Sequence, residues 1–159
     1  MFRIVATPWR YRYILDSAQG RRSGCFFCAY AEAPERDLED LVFFRGRHVF
    51  GLLNRFPYMW GHAMVAPYRH VGDLVELSDE ELAELLRSTY RAKAVIAEAV
   101  GCGDIAVGIN IGRVAGAGVA DHLHVHLVPM CKEIDPSTPS KELEDALRRL
   151  AEDLARRFT

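Results

Sequence analysis

Short runs of alternating apolar and polar residues, separated by glycine and proline, predict five β-strands in this chain. Side chains alternate between the two faces of a sheet, so a period of two residues indicates a strand with one buried face. The predicted strands are residues 41–45, 48–54, 62–66, 105–111 and 119–129. Most follow one another through short connections, which favours antiparallel pairing.

A change to helical spacing after the third strand predicts a long helix. It begins at the capping box formed by Ser78 and Glu81, and it extends to about Val100, where Gly101 and Gly103 end it. Its predicted apolar stripe comprises Leu82, Leu85, Leu86, Thr89, the stem of Lys93, Ile96, Ala97 and Val100.

A second amphipathic helix is predicted at the C-terminal end. It begins near Pro139, because proline is favoured at the first helical position. Its apolar face comprises Leu143, Leu147, Leu150, Leu154 and Phe158. One long helix between strands three and four, with a C-terminal helix, predicts an α+β fold with an antiparallel sheet of five strands.

Composition fits one globular domain, since the chain has 159 residues and half of them are hydrophobic. We divide it into an N-terminal arm (residues 1–40), a core (41–130) and the C-terminal helix (136–159). The formal net charge of −2 provides no basic field for nucleic acid. No stretch reaches membrane-spanning length and no signal-peptide pattern is present, so we expect a cytoplasmic protein without a membrane partner.

Three of the six histidines fall within five residues, as His122, His124 and His126 alternate with Leu123 and Val125. On a strand, this period places the three imidazoles on one face and the apolar residues behind them. A row of imidazoles is an unusual core and a useful arrangement for chemistry.

The row of histidines has three possible interpretations. Exposed surface histidines are a poor explanation for strict alternation after a glycine-rich loop. A single metal held by all three is excluded by strand geometry, since His122 and His126 would be about 13 Å apart while Zn–N bonds are about 2.0–2.1 Å. The third interpretation makes His124 a nucleophile, with His122 and His126 in supporting roles.

Nucleophilic catalysis requires one unprotonated nitrogen on His124 that can attack phosphorus. The other ring nitrogen must then carry the proton and donate it, and a strand carbonyl is a suitable acceptor. Asn110 and the backbone N–H groups of the loop at residues 112–118 are placed to stabilise charge on a phosphoryl group.

At this point the chain resembles the histidine triad (HIT) family. Residues 122–128 match the family signature, three histidines separated and followed by apolar residues, at every position. Residues 54–70, 108–112 and 115–129 resemble two further family blocks. The resemblance covers most of residues 25–130 and is nearest to the branch of diadenosine polyphosphate phosphorylases and hydrolases.

The resemblance implies a homodimer that acts on an adenine or other purine nucleotide joined through its α-phosphate to a leaving group. It implies that His124 forms a nucleotidyl-histidine, that His126 contacts the phosphate and leaving group, and that His62 lies near the α-phosphate. It assigns the ribose hydroxyls to Asn54. Candidates for the adenine pocket are Leu52, Phe26, Phe27 and Phe50, for which core packing is an equal alternative.

One position departs from the family pattern. Many family hydrolases have a glutamine four residues before the first histidine of the triad, where this chain has Gly118. Backbone donors, including those of Gly116 and Gly118, would then contact the phosphate. The choice between hydrolysis and phosphorolysis stays open, nucleoside phosphoramidates are a second substrate class, and a nucleotide sensor with little turnover is the alternative to an enzyme.

Cys25 and Cys28 have a spacing that lets two thiolates face one ion. The resemblance to family members with this motif supplies His70 and His122 as the other ligands of a structural zinc. The alternative is a pair of reduced thiols, with His70 on the surface.

Cys102 and Cys131 are predicted to be structural residues. The four cysteines do not suggest a disulfide framework in a cytosolic protein. A bond between Cys102 and Cys131 becomes possible if the source is hyperthermophilic.

Overall fold

Five antiparallel strands form one sheet in the computed structural model, which describes residues 24–57, 59–112 and 122–159. The strands are β1 (Val42–Arg45), β2 (Val49–Leu53), β3 (Ala63–Pro67), β4 (Ile105–Ile109) and β5 (Val125–Pro129). Their order across the sheet is β1-β2-β3-β5-β4. The helices are α1 (Phe26–Glu32), α2 (Asp79–Val100) and α3 (Ser140–Phe158), with 3₁₀ turns at Pro34–Arg36 and Leu74–Glu76.

This architecture confirms the predicted α+β class and the position of the long helix between the third and fourth strands. Four predicted strands agree with the structure to within two residues at each end. In the part of the chain that the structure describes, no helix is both long and apolar enough to cross a bilayer.

The prediction of one strand over residues 119–129 is wrong, because β5 begins at Val125. His122 and His124 therefore precede the strand. Two bonds replace strand pairing there: the N–H of Leu123 donates to the carbonyl of Val71 at 2.6 Å, and the His124 ring donates to the carbonyl of His122. A side chain that bonds its own backbone competes with a sheet ladder, and here it delays the strand.

Strands β1, β2 and β3 are buried on both faces of the sheet, with only Arg45 of β1 partly exposed. One face packs against α2 and α3, and the predicted packing of Leu123, Val125 and Leu127 in this larger core is confirmed. The other face is covered by α1 and forms a smaller cluster of Phe27, Val42, Phe50, Leu52, Met64 and Ala66. Alternate residues of β2 and β3 divide between these two cores, as the period of two requires.

The capping box of α2 is confirmed. The hydroxyl of Ser78 accepts from the N–H of Glu81 at 3.2 Å, and the Glu81 carboxylate accepts from the N–H of Ser78 at 2.8 Å. Gly101 ends the helix in the left-handed region at φ 66°, where glycine has no steric penalty.

The predicted apolar stripe of α2 is wrong at Leu86, which is 48% exposed. Three predicted members, Leu85, Thr89 and Ile96, are buried, and the structure adds Glu81 and Ala92 to the buried residues of the helix. This stripe starts on the capping-box glutamate, and Leu86 lies about 100° around the helix from Leu85. Leu86 was predicted to be buried because leucine is apolar, but its angular position around the helix places it outside the buried stripe.

The apolar face of α3 is confirmed. Leu147, Leu150, Leu154 and Phe158 are buried, and Leu143 packs against the same core. Pro139 is the residue before the helix rather than its first residue.

A disulfide joins Cys102 to Cys131. From the sequence, this bond was a possibility only for a hyperthermophilic source, and the sheet register shows why the two residues meet. Ile105 pairs with Pro129 at the end of the β4–β5 ladder. Cys102 precedes Ile105 by three residues and Cys131 follows Pro129 by two, so they face each other across the same end of the strand pair. Sequence spacing alone does not reveal this register.

Glu81 is predicted to make the stability of the fold dependent on acid. Its carboxylate accepts from Arg69 at 2.6 and 2.8 Å and from the backbone of Ser78, and these bonds lower its pKa from 4.5 to about 2. Because the pKa of Glu81 is lower in the folded protein than in the unfolded chain, its ionised carboxylate stabilises the fold above about pH 4.5. This stabilisation is lost as the pH falls toward about 2. Glu81→Gln should lower the free energy of unfolding at pH 7 by about 1 kcal/mol, since Arg69 is half exposed and water screens the pair.

Urea unfolding at pH 7, 4.5 and 2.5 tests this expectation. Wild type and Glu81→Gln should converge in stability at the lowest pH. Glu80→Gln, an exposed neighbour on the same turn, is the control and should follow the wild type. A constant difference between Glu81→Gln and wild type across the three pH values would contradict the argument.

Candidate active site and metal-ligand cluster

Four histidines meet at the junction of β3 and β5, in the middle of the sheet. His62 precedes β3, and His122, His124 and His126 lead into or lie on β5. These strands pair with Met64 opposite His126, which places His62 beside the triad. His62, His122 and His124 are at most 4% exposed. Burial lowers the pKa values of His122 and His124 and so favours the neutral forms of these two rings.

A carbonyl determines which nitrogen of His124 carries the proton. His124 Nδ1 lies 2.9 Å from the carbonyl oxygen of His122. Because a carbonyl oxygen only accepts, Nδ1 must be protonated and donate. Burial also lowers the pKa of His124 from its usual value, against the raising effect of this bond. The neutral ring therefore has its lone pair on Nε2.

Three further contacts connect the His124 ring to His126, His62 and Asn54. His124 Nε2 lies 3.1 Å from His126 Nε2, and His126 Nδ1 lies 3.0 Å from His62 Nε2. His62 Nδ1 lies 3.5 Å from the side-chain nitrogen of Asn54. If each ring is neutral, His126 donates to His124, His62 donates to His126, and Asn54 donates to His62.

The far end of this chain supports the same direction. The backbone N–H of Phe56 donates to the side-chain oxygen of Asn54 at 2.9 Å. This contact orients the amide so that its NH₂ group faces His62. The carbonyl of His122 at one end of the network and the Asn54 amide at the other therefore lead to the same assignment. His126 Nε2 carries a proton, and His124 Nε2 has a lone pair.

A second cluster of donors lies next to the triad and consists of Cys25, Cys28, His70 and His122. One ligand atom from each lies within 4.8 Å of all the others. His122 Nδ1 is 3.2 Å from Cys25 Sγ, 3.5 Å from Cys28 Sγ and 3.2 Å from His70 Nδ1. A tetrahedral zinc with ordinary bond lengths requires ligand atoms about 3.3–3.8 Å apart, so this donor set fits a metal ion.

The ring of His122 is oriented for such a role by its other nitrogen. His122 Nε2 donates to the carbonyl of Pro67 at 2.8 Å, which leaves the lone pair of Nδ1 facing the cluster. Burial lowers the pKa of His122 to about 4, and the neutral ring is the form that metal ligation needs. The His122 ring therefore belongs to the metal-ligand cluster, while the rings of His124 and His126 do not.

Arg45 holds the helix that carries the two thiols. Its guanidinium binds the Asp37 carboxylate at 2.6 Å and donates to the carbonyls of Tyr30 and Ala31, at 2.6 and 3.1 Å, near the C-terminal end of α1. This contact was missed by the sequence analysis, as were the Pro67 and Phe56 contacts. No sequence motif marks them, since each depends on how loops return to the sheet.

The remaining predicted site residues are placed as follows. Phe27 and Leu52 are buried in the cluster under α1, and the Phe27 ring lies 5.0 Å from the ring of His122 and 4.9 Å from that of His124. Asn110 directly follows β4, whose last residue pairs with the first residue of β5, and so lies at the strand end nearest His124. Gly116 and Gly118 lie outside the described residues.

Comparisons with known proteins agree with this geometry. The family model described as the HIT domain matches residues 35–133. An AP-4-A phosphorylase of Mycobacterium tuberculosis (strain ATCC 25618 / H37Rv) is 41% identical over 127 residues, which cover 77% of this chain and 65% of that protein. The chain thus spans somewhat less than two thirds of this relative's length.

Two further similarities bear on the site. A bis(5'-adenosyl)-triphosphatase of Dictyostelium discoideum is 34% identical over 91 residues, or 57% of this chain and 60% of that protein. The crystal structure of a Zn-bound histidine triad family protein from Mycobacterium smegmatis superimposes with a TM-score of 0.63 at 23% identity, covering 84% of this chain and 97% of that one. At that identity the likeness supports the fold.

Proposed function

This chain belongs to the HIT domain family, and on that premise we propose that it is an enzyme that cleaves a nucleoside 5'-phosphoryl bond through a nucleotidyl-histidine. The single observation that carries the proposal is the bond from His124 Nδ1 to the carbonyl of His122. It leaves an unprotonated Nε2 on a buried ring, which is the form that attacks phosphorus.

In the first step, His124 Nε2 attacks the α-phosphorus, and the P–N bond forms as the bond to the leaving group breaks. His126 Nε2 carries a proton and lies 3.1 Å from the attacking nitrogen, so it is placed to donate a hydrogen bond to the departing phosphate oxygen, which leaves as an anion with the electron pair of the broken P–O bond. The positive charge on the His124 ring is stabilised by the carbonyl at Nδ1. In the second step, water or phosphate attacks the α-phosphorus, and the P–N bond breaks and returns its electron pair to His124 Nε2. Any proton that the attacking oxygen releases passes to solvent.

The proposed substrate is a diadenosine polyphosphate. The AP-4-A phosphorylase and the bis(5'-adenosyl)-triphosphatase among the relatives support this class. We assign the α-phosphate to His62, Asn110 and the backbone of Gly116 and Gly118, the ribose to Asn54, and the adenine pocket to Leu52 and Phe27. The Asn54 amide already binds His62 and the backbone of Phe56, so its ribose contact would use the remaining capacity of its oxygen and NH₂ group.

His124→Ala should lower turnover of diadenosine tetraphosphate about a thousandfold or more, because no other group supplies the nucleophile. Product analysis with and without phosphate separates the reactions. Release of ADP only with phosphate indicates a phosphorylase, and release of ATP plus AMP indicates a hydrolase. A covalent adenylate on His124 should appear in the mass spectrum of the quenched wild type.

His48→Ala is the control, since this histidine lies at the β1–β2 turn, outside the triad, and should leave turnover unchanged. Full turnover by His124→Ala would exclude the mechanism. Tight nucleotide binding by the wild type with no product release would replace the enzyme with a nucleotide-binding role.

We also propose that Cys25, Cys28, His70 and His122 bind a structural zinc. The support is the Cys₂His₂ donor set at tetrahedral separations and the hydrogen bond from His122 Nε2 to the carbonyl of Pro67, which turns Nδ1 toward the other three donors. The zinc would be held as a closed four-ligand site that ties α1 to the sheet.

Metal analysis of protein purified without chelator should give about one zinc per chain. Cys28→Ser should weaken zinc binding by at least about tenfold, because a hydroxyl is a poor substitute for a thiolate. The double variant Cys102→Ser/Cys131→Ser removes the other cysteine pair and should retain full zinc content. Substoichiometric zinc in a folded wild type would indicate a pair of free thiols.

A homodimer is the third part of the proposal. β4 is an edge strand of the described sheet, and Val107 on that strand is 40% exposed. Leu86 and Tyr90, one turn apart on α2, are 48% and 61% exposed. An edge strand with apolar side chains is a template for pairing with a second copy.

Sedimentation velocity should therefore report a dimer. Val107→Lys should convert it to a monomer, since a charged edge strand opposes pairing. Val75→Lys is the matched control, because Val75 is 86% exposed on the 3₁₀ turn at Leu74–Glu76 and should leave the dimer intact. A monomeric wild type at micromolar concentration would refute the dimer.

A further inference from the structure

His122 belongs to both clusters at once. Its ring lies among the ligand atoms of Cys25, Cys28 and His70, and its carbonyl accepts the proton of His124 Nδ1. The second ring nitrogen is bound to the carbonyl of Pro67 on β3. The position of the carbonyl that orients His124 therefore depends on how firmly the His122 ring is held at both nitrogens.

Phe27 forms a second link between the clusters. It lies between Cys25 and Cys28 in the sequence and is fully buried. Its ring is stacked on that of His122 at 5.0 Å and 30°, and it contacts the ring of His124 at 4.9 Å and 35°. Any displacement of the segment that carries the thiols therefore moves the wall against which the His124 ring rests.

The helix that carries Phe27 is short and cannot hold this position alone. α1 has seven residues, and isolated helices of this length are unstable in water. The hydrogen bonds from the Arg45 guanidinium to the carbonyls of Tyr30 and Ala31 hold its C-terminal end. The residue at its N-terminal end, Cys25, makes no side-chain capping bond to the helix, and its thiol instead faces His122 at 3.2 Å.

We propose that His122 and Phe27 are positioning residues that couple the metal-ligand cluster to His124, so that metal binding keeps the His124 ring in the orientation required for attack. The inference rests on the proposed roles of His124 and of the cluster. It goes beyond them, because a structural zinc that only tied down the N-terminal arm would leave the tautomer of His124 unchanged.

The tautomer is the direct readout. Long-range ¹H–¹⁵N correlation spectra of the histidine rings distinguish a protonated Nδ1 from a protonated Nε2, and the His124→Ala variant assigns the signals. In zinc-loaded protein we expect one His124 species with the proton on Nδ1. After removal of zinc with a chelator, and with folding verified by circular dichroism, we expect exchange between two tautomers and a fall in kcat of about 10–100-fold.

Phe27→Leu tests the contact between the Phe27 ring and the two histidine rings without changing a metal ligand. Leucine retains an apolar side chain but lacks the ring that touches both histidines, so this variant should retain its zinc while His124 becomes a tautomer mixture. Phe44→Leu is the matched control, because Phe44 is a buried aromatic in the larger core that stacks on Phe158 at 4.1 Å. It should lower the unfolding temperature and leave the His124 signals as in the wild type.

An unchanged His124 tautomer in both the zinc-free wild type and zinc-loaded Phe27→Leu would overturn the coupling. Failure of the proposed function gives a different result. If the zinc-loaded wild type neither cleaves diadenosine tetraphosphate nor forms a covalent adenylate, the catalytic role of His124 is lost. The dependence of the tautomer on zinc would still decide whether the two clusters are linked.

Discussion

The hydrogen bond from His124 Nδ1 to the carbonyl of His122 is the constraint on which the rest of the site depends. A buried neutral imidazole has two tautomers, and only one leaves Nε2 with a lone pair. A backbone carbonyl makes the choice without a titratable partner, so the selection does not depend on the protonation of another group. The rings of His126 and His62 and the amide of Asn54 follow from this first choice, each as donor to the next.

The late start of β5 makes that bond available. In a regular strand at the centre of a sheet, the carbonyl of His122 would be drawn into pairing with a neighbouring strand. Here the N–H of Leu123 bonds Val71 and the carbonyl of His122 turns to the His124 ring. The alternation of apolar and polar residues still places Leu123 in the core. Residues 122–124 thus pack as a strand would, while the carbonyl of His122 accepts the hydrogen bond from the His124 ring.

The sequence predicted what depends on period and motif, and failed where a residue's partner is decided elsewhere in the fold. The five strands, the Ser78–Glu81 capping box and the apolar face of α3 all follow from local pattern. Leu86 was misplaced because the buried stripe of α2 is phased from Glu81, which is held by Arg69. The grouping of the thiols with His70 and His122 came from a family resemblance. The contacts of Pro67, Phe56 and Arg45 have no local signature.

The two cysteine pairs differ in what surrounds them, and they act at opposite ends of β5. Cys25 and Cys28 meet two imidazoles, so their thiols complete a four-donor set. Cys102 and Cys131 face each other across the end of a strand pair and form a cross-link. His122 lies just before β5 and Cys131 lies just after it. The thiols that contact the His122 ring before β5 and the disulfide of Cys131 after it thus tie both ends of the strand that carries His126 to other parts of the fold.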